Sequence, residues 1–372
     1  MFSVLDNKKI KGVGIILLIF HHMYRTVQQI TLTGVKLNFL DVQVLSRLAM
    51  CARICVYVFV FLSAYGLAYI YEQKYSNNIK SEQHSDGCNT LKFILLQWLK
   101  VLFPYWFTII LLWIIWLLIP NLGLASIYGK DKMSIFYMLG DIFPVLDMLG
   151  KGEHMFRGVL WYMNFSLIMI LLIPIVYELT KKFGFAIIIA TMFLFCYIPI
   201  GYKSIYGGDY RYYLFAIEMG ILFYSYSVFD KLYKVYTDFN IIFKIITIFI
   251  LLCLSIMFPY VSLFVINSNK FGFSAILNTL GAIALIVAAF LVKVKQLNRL
   301  FVIIGTYSLD IYLTHWLLYY PKFIKFIHIT DILIAQYLWS VLLAVGIGVL
   351  IGVLKKCCGY TTFYNELIKK IS

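Results

Sequence analysis

Runs of about twenty apolar residues recur along this chain, each long enough to cross a hydrocarbon core as a helix. Ten such runs are expected to span. The first five lie at roughly Ile10 to Val27, Cys51 to Tyr71, Phe93 to Ile119, Val159 to Tyr177 and Phe183 to Ile200. The later five lie at Tyr212 to Phe229, Ile241 to Tyr260, Phe273 to Val292, Leu300 to Tyr320 and Ile332 to Leu354. In hydrocarbon every backbone polar group must be satisfied internally, so unbroken apolar runs of this length become helices. The expected fold is all-α: a polytopic integral membrane helix bundle of about ten transmembrane helices, one domain over residues 1–372.

Composition excludes a soluble alternative. Hydrophobic residues make up 62% of the chain and charged residues 13%, against about half and a quarter in soluble domains. A net charge of +15 would suggest nucleic acid in a soluble protein. Here Lys and Arg sit in short loops between apolar runs, where they orient the chain in the bilayer. No nucleic-acid partner is expected. Ten spans put both ends on one side, and the segments on that side hold the larger share of Lys and Arg. The expected location is a cell membrane, multi-pass, with both termini cytoplasmic.

The seven cysteines are scattered and complete no zinc spacing, so no metal is expected. Cys357 and Cys358 follow the last span; they read as small apolar fillers, with lipidation the alternative. The first run leads into His21, His22, Tyr24 and Arg25 instead of a small-residue cleavage site, which argues against a removed signal. The longest loop, about Pro120 to Gly158, would lie outside and includes His154 and Arg157. Loops of that length are usually functional; an acceptor site and a simple surface excursion both fit. The Glu72 to Thr90 loop reads as a flexible connector.

Ionisable residues inside a bilayer face a bundle interior or a wet cavity and are functional candidates. His21, His22, Arg53, Lys100, Glu218, Asp310 and His315 are of this kind. His22 lies about 20 Å along a helix from Lys9, well past the inner headgroups. An imidazole at that depth can act as a general base or serve as a hydrogen-bonded structural group. Asp310 and Thr314 share a helix face in a polar run from Gly305 to His315. That run could line a channel or bond neighbouring helices. Glu218 must be paired, wet or protonated, with Arg53 and Lys100 as possible partners.

These residues also form a pattern that resembles the acyltransferase-3 family of membrane acyltransferases, over nearly the whole chain. The first span, Lys11-Gly12-Val13 through Phe20-His21-His22, is similar to the family's basic residue and Gly followed at fixed spacing by a histidine. That spacing selects His22 over His21. Phe61-Leu62-Ser63-Ala64-Tyr65 resembles an aromatic Phe-Leu-Ser-Gly-Tyr segment, with Ala64 in place of Gly. Gln97-Trp98-Leu99-Lys100, followed by Pro104-Tyr105, resembles Arg-x-x-Arg with a Pro-aromatic pair; Gln97 and Lys100 replace the two arginines. Leu160-Trp161-Tyr162-Met163, Arg211 to Phe215 with Gly220, and Ser308 to His315 resemble three further family segments.

The resemblance implies transfer of an acyl group, usually acetyl, from a cytoplasmic thioester to a hydroxyl of a cell-surface or lipid-linked saccharide. The co-substrate would be acetyl-CoA or another short acyl-CoA, and the partners the lipid bilayer and the saccharide acceptor. His22 would be the catalytic base. Lys11, Gln97, Lys100 and Arg53 would hold the donor, with Tyr307, Ser308 and Arg53 as candidates for stabilising the oxyanion. His21, Asp310, His315, Glu218 and Trp161 complete the candidate set. A covalent acyl-histidine is the alternative route. A transporter or flippase for a lipid-linked saccharide is the rival function, and a non-catalytic subunit that keeps the fold is another.

Overall fold

A computed structural model describes residues 2–37, 40–73, 86–119, 123, 128, 134–144, 157–197, 203–204, 208–266, 271–319, 324 and 329–371. His154 and most of the long loop lie outside the described residues, as does most of the 72–90 connector. The helices in chain order are α1 (Val4–Tyr24), α2 (Val27–Thr33), α3 (Val42–Cys51), α4 (Ile54–Tyr71), α5 (Asp86–Leu118), α6 (Ser134–Ile142), α7 (Arg157–Phe183) and α8 (Ala186–Tyr197). A short antiparallel ladder, β1 (Lys203–Ser204) with β2 (Gly208–Asp209), comes next. Then follow α9 (Leu214–Ser225), α10 (Val228–Thr237), α11 (Ile241–Tyr260), α12 (Phe271–Leu291), α13 (Lys295–Thr306), α14 (Ser308–Thr314), α15 (Leu333–Cys357) and α16 (Tyr360–Ile371).

Among the described residues, six segments are long and apolar enough to cross a membrane: Val42–Tyr71, Asn89–Leu118, Leu160–Phe183, Ile241–Val265, Gly272–Leu291 and Leu333–Cys357. Two bent pairs raise the number to eight: Tyr210–Ser225 with Val228–Thr237, at 67°, and Lys295–Thr306 with Ser308–Tyr319, at 60°. The two other expected spans are helices that fall short of that test. Lys8, Lys9 and Lys11 crowd the start of α1, and α8 has 12 residues. The bilayer bundle stands; the count of ten does not follow from it.

Two compact units divide the chain. One comprises Met1–Gly66, Leu179–Tyr197 and Tyr212–Gly348; the other comprises Leu67–Glu178, Ile198–Arg211 and Val349–Ser372.

In the first unit α1 is the central element, packed against α13, α3, α12, α2 and α14. Its start is set by a capping box: the Asp6 N–H donates to Ser3 Oγ at 3.0 Å, and the Ser3 N–H donates to Asp6 Oδ2 at 3.1 Å. Each bond satisfies a donor the helix would leave open. Lys9 is buried, and its ammonium donates to the Val292 carbonyl at 3.1 Å and the Phe290 carbonyl at 3.4 Å. A cation thus closes the C-terminal end of α12, where the helix dipole favours positive charge. Gly12 meets the backbone of Phe301 in α13, leaving no room for a β-carbon. Small residues let membrane helices approach this closely.

Other ends are capped as the sequence dictates. Thr26 accepts from the Gln29 N–H to start α2, and Gly34, at φ 66°, ends it in the left-handed region. Asp41 accepts from Gln43 and Val44 to start α3. Arg53 lies at the short break between α3 and α4.

The second unit is tied by indole and phenol donors. Trp98 Nε1 donates to the Leu167 carbonyl at 3.0 Å and Trp106 Nε1 to the Ile142 carbonyl at 2.6 Å. Tyr128 donates to the buried Asp141 carboxylate at 2.8 Å. α16 packs on α5, with Tyr360 and Phe107 ring centroids 4.8 Å apart.

Candidate active site

The end of α1 presents two adjacent imidazoles on different faces, and their surroundings separate them. His21 is buried, with Nδ1 2.8 Å from the Ala49 carbonyl of α3. A carbonyl only accepts, so Nδ1 carries the proton there. That ring joins α1 to α3. His22 is half-buried, and its neighbours are rings: His21 at 5.0 Å, His315 at 4.8 Å and Tyr319 at 6.3 Å between centroids. The structure therefore places His22, not His21, where a ring nitrogen is uncommitted to the backbone.

His315 comes to this place because the ninth apolar run is bent. Tyr307 ends α13 and precedes α14 at the 60° break, and Ser308 opens α14. Both are half-buried, and Ser308 lies about 10 Å along the helix from His315 by the rise per residue. Asp310 is buried on α14, and Thr314 Oγ donates back to the Asp310 carbonyl at 2.7 Å. That is a within-helix bond of the kind Ser and Thr make. His315 caps α14, with Nδ1 2.6 Å from the Tyr312 carbonyl.

Three further groups in this cluster are absent from the sequence-based candidates. Tyr319 donates to the Ile19 carbonyl at 3.3 Å, and Tyr337 to the Ile16 carbonyl at 2.8 Å, pinning two extra donors on the last turns of α1. Arg25 is the residue after α1, and its charge acts on His21, His22, His315 and Tyr319. It lies at the polar end of the first apolar run, Ile10 to Val27, one residue past the end of α1. Arg53 is bonded to the Tyr213 hydroxyl, beside Tyr57, and its charge reaches His21 and Arg25.

The remaining candidates are placed as follows. Lys11 is half-buried, eleven residues before His22. That is about three turns, so the two share a face about 16 Å apart. Glu218 is buried in α9 and accepts from the Thr191 hydroxyl of α8. Among the described residues this hydroxyl, not Arg53 or Lys100, is the partner the structure gives it. Gln97, Lys100 and Trp161 belong to the second unit. Gln97 is buried and its Nε2 has no hydrogen-bond partner. Lys100 is half-buried on α5. Trp161 is buried beside Tyr210, whose hydroxyl donates to the Trp161 carbonyl at 3.0 Å. Among the described residues no three His, Cys, Asp or Glu side chains are grouped to hold a metal.

The arrangement at the end of α1 can hold a neutral nucleophile against a ring nitrogen beside two guanidinium groups. That suits a reaction in which a proton is removed and an oxyanion forms. The family model for the acyltransferase-3 domain matches residues 10–355. Neither a curated protein nor a solved structure matches the chain.

Proposed function

The chain belongs to the acyltransferase-3 family and is in kind a membrane acyltransferase, and on that premise we propose that it moves a short acyl group, acetyl foremost, from cytoplasmic acyl-CoA to a hydroxyl of a cell-surface or lipid-linked saccharide. The observation that carries this reading is the half-buried His22 ring, grouped with His315, Tyr319 and Arg25 at the end of α1.

The acceptor hydroxyl attacks the thioester carbonyl carbon, and His22 takes the hydroxyl proton as the C–O bond forms. The tetrahedral intermediate places negative charge on the former carbonyl oxygen. Arg25 and Arg53 supply fixed positive charge on this side of the unit, which favours that state over the neutral thioester. The C–S bond then breaks, and the proton held by His22 passes to the leaving CoA thiolate. One base serves both steps, so direct transfer needs no acyl-histidine.

The donor side follows from charge. CoA phosphates cannot enter hydrocarbon, whereas the pantetheine arm is thin and nearly neutral. Lys11 lies on the same face of α1 as His22, about three turns nearer the N-terminus. An ammonium at that spacing suits a phosphate whose thioester reaches the imidazole. By the family resemblance alone, Gln97 and Lys100 of the second unit are the other donor groups we assign. We assign both termini to the cytoplasmic side of a cell membrane, a reading supported by the larger share of Lys and Arg in the segments on their side.

The test is thioester cleavage by purified protein, paired with mass analysis of surface glycans from cells with and without it. Thiol release dependent on a saccharide, and loss of acetyl mass without the protein, support acyl transfer. Movement of a lipid-linked saccharide without thiol release would replace it with transport. A Lys100→Ala variant should raise KM for acyl-CoA; an unchanged KM removes Lys100 from the donor site.

A further inference from the structure

The His315 ring is 1% exposed, and its Nε2 is buried without a hydrogen-bond partner. Its other nitrogen is committed. Nδ1 lies 2.6 Å from the Tyr312 carbonyl. A carbonyl only accepts, so Nδ1 bears the hydrogen and Nε2 is left as a bare lone pair. A buried acceptor with nothing to accept is costly. The side chain nearest in kind is His22, with ring centroids 4.8 Å apart and planes at 50°. At that spacing a turn of the His22 ring brings facing nitrogens to the about 3 Å of an N–H···N hydrogen bond. Catalytic hydrogen bonds are often long before substrate binds and tighten afterwards.

We propose that His315 is a positioning residue for His22: its bare Nε2 accepts an N–H from the His22 ring, so that the other nitrogen of His22 is held unprotonated towards the acceptor hydroxyl. The inference rests on His22 being the base. The Tyr312 carbonyl fixes the tautomer of His315, and His315 fixes the tautomer of His22. When His22 takes the hydroxyl proton it becomes a cation with two N–H groups. One of them then makes a charge-assisted bond to Nε2, stronger than the bond before transfer. His315 thereby acts more on the transition state than on the bound substrate, which lowers the barrier without tightening binding.

Two variants of full-length protein separate this role from packing. H315Q keeps an acceptor oxygen on a side chain of similar reach, and H315F keeps the ring without an acceptor. We expect H315F to lower kcat about 10- to 100-fold, the size of one charge-assisted hydrogen bond. KM for acyl-CoA should stay unchanged, and H315Q should recover most of the loss. Equal loss in both variants, an unchanged kcat in H315F, or a rise in KM alone would overturn the proposal. If H315F does not accumulate, ¹⁵N-histidine spectra of the wild type decide: a proton on Nδ1 of His315 upholds the assignment and a proton on Nε2 ends it. A fully active His22→Ala variant would instead remove His22 as base, whatever His315 does. An inactive H22A beside a fully active H315F would remove His315 alone.

Discussion

Gly305 lies so close to α1 that a β-carbon there would overlap the Lys8 carbonyl and come within 3.0 Å of the Gly12 amide nitrogen. Gly12 in turn admits the Phe301 backbone. The pair sets how near α1 and α13 can come, and α13 leads through the bend to His315. Gly305→Ala should therefore separate the helices by forcing backbone from backbone, at a cost of about 1–3 kcal/mol typical of overpacking. A lowered melting temperature in detergent together with reduced acyl transfer is expected. Unchanged stability would mean that the two helices do not meet as described.

The adjacent histidines should fail differently. His21→Ala leaves the Ala49 carbonyl without its buried donor, a loss of about 1–3 kcal/mol, and should lower thermal stability while retaining measurable transfer. His22→Ala breaks no backbone contact and should abolish transfer with little change in melting temperature. Assaying both variants for thiol release and melting checks the contrast. Reversal of the two phenotypes would assign the base to His21.

How much of this was legible from sequence depends on what each feature needs. Spans such as Ile241–Val265 declare themselves because hydrophobicity is local and additive along a helix. The bends do not, because a hydropathy window averages across Tyr226 or Tyr307 as if the axis were straight. Gly305 opens the polar run near the second break, but its role lies in Lys8 and Gly12, nearly 300 positions earlier. The preference for His22 over His21 rests on family spacing; that a carbonyl on α3 occupies His21 is a tertiary contact the sequence does not display. Arg25 gave no signal because it stands where the first apolar run turns polar, one residue past the end of α1, and its nearness to His315 and Tyr319 is a tertiary contact. Glu218 is expected from sequence to be paired, wet or protonated, with Arg53 and Lys100 as possible partners; Thr191 meets it with a hydroxyl from a helix the sequence cannot pair with it.

Asp6 gives a pH dependence. Burial pushes its carboxyl up, but the Ser3 hydroxyl and amide and the charge of Lys293, 3.2 Å away, outweigh burial and hold it below its usual value. A carboxyl depressed in the fold contributes stability that is present above its unfolded value of about 4. That contribution is lost as pH falls through the folded value, because the unfolded chain then binds the proton first. Asp6→Asn should melt below the wild type at neutral pH, and the gap should close as the pH drops below about 4. A gap independent of pH would mean that Asp6 acts through packing and not charge.

The last prediction concerns the segment that follows the histidines. Gln336 is fully buried and serves three partners: its Oε1 accepts from Tyr24 at 3.3 Å, and its Nε2 donates to the Thr33 carbonyl at 2.8 Å and the Thr330 carbonyl at 3.2 Å. One amide therefore joins the end of α1, the end of α2 and the start of α15. Close by, Lys36 pairs with Asp331 at 2.6 Å, and the Lys36 amide donates to the Asp331 carbonyl at 2.9 Å. The two links look alike as contacts but differ in surroundings. The ion pair is exposed, so water and salt screen it and its loss should change little. Leucine at 336 has nearly the volume of glutamine but leaves the buried Tyr24 hydroxyl and Thr33 carbonyl without this partner, each costing about 1–3 kcal/mol, and frees the half-buried Thr330 carbonyl at a smaller cost. Gln336→Leu should lower the melting temperature and loosen the last turn of α1, reducing transfer through His22. Lys36→Ala should leave both unchanged. If Lys36→Ala proves the more damaging, the segment is held by its exposed charges and the buried amide is incidental.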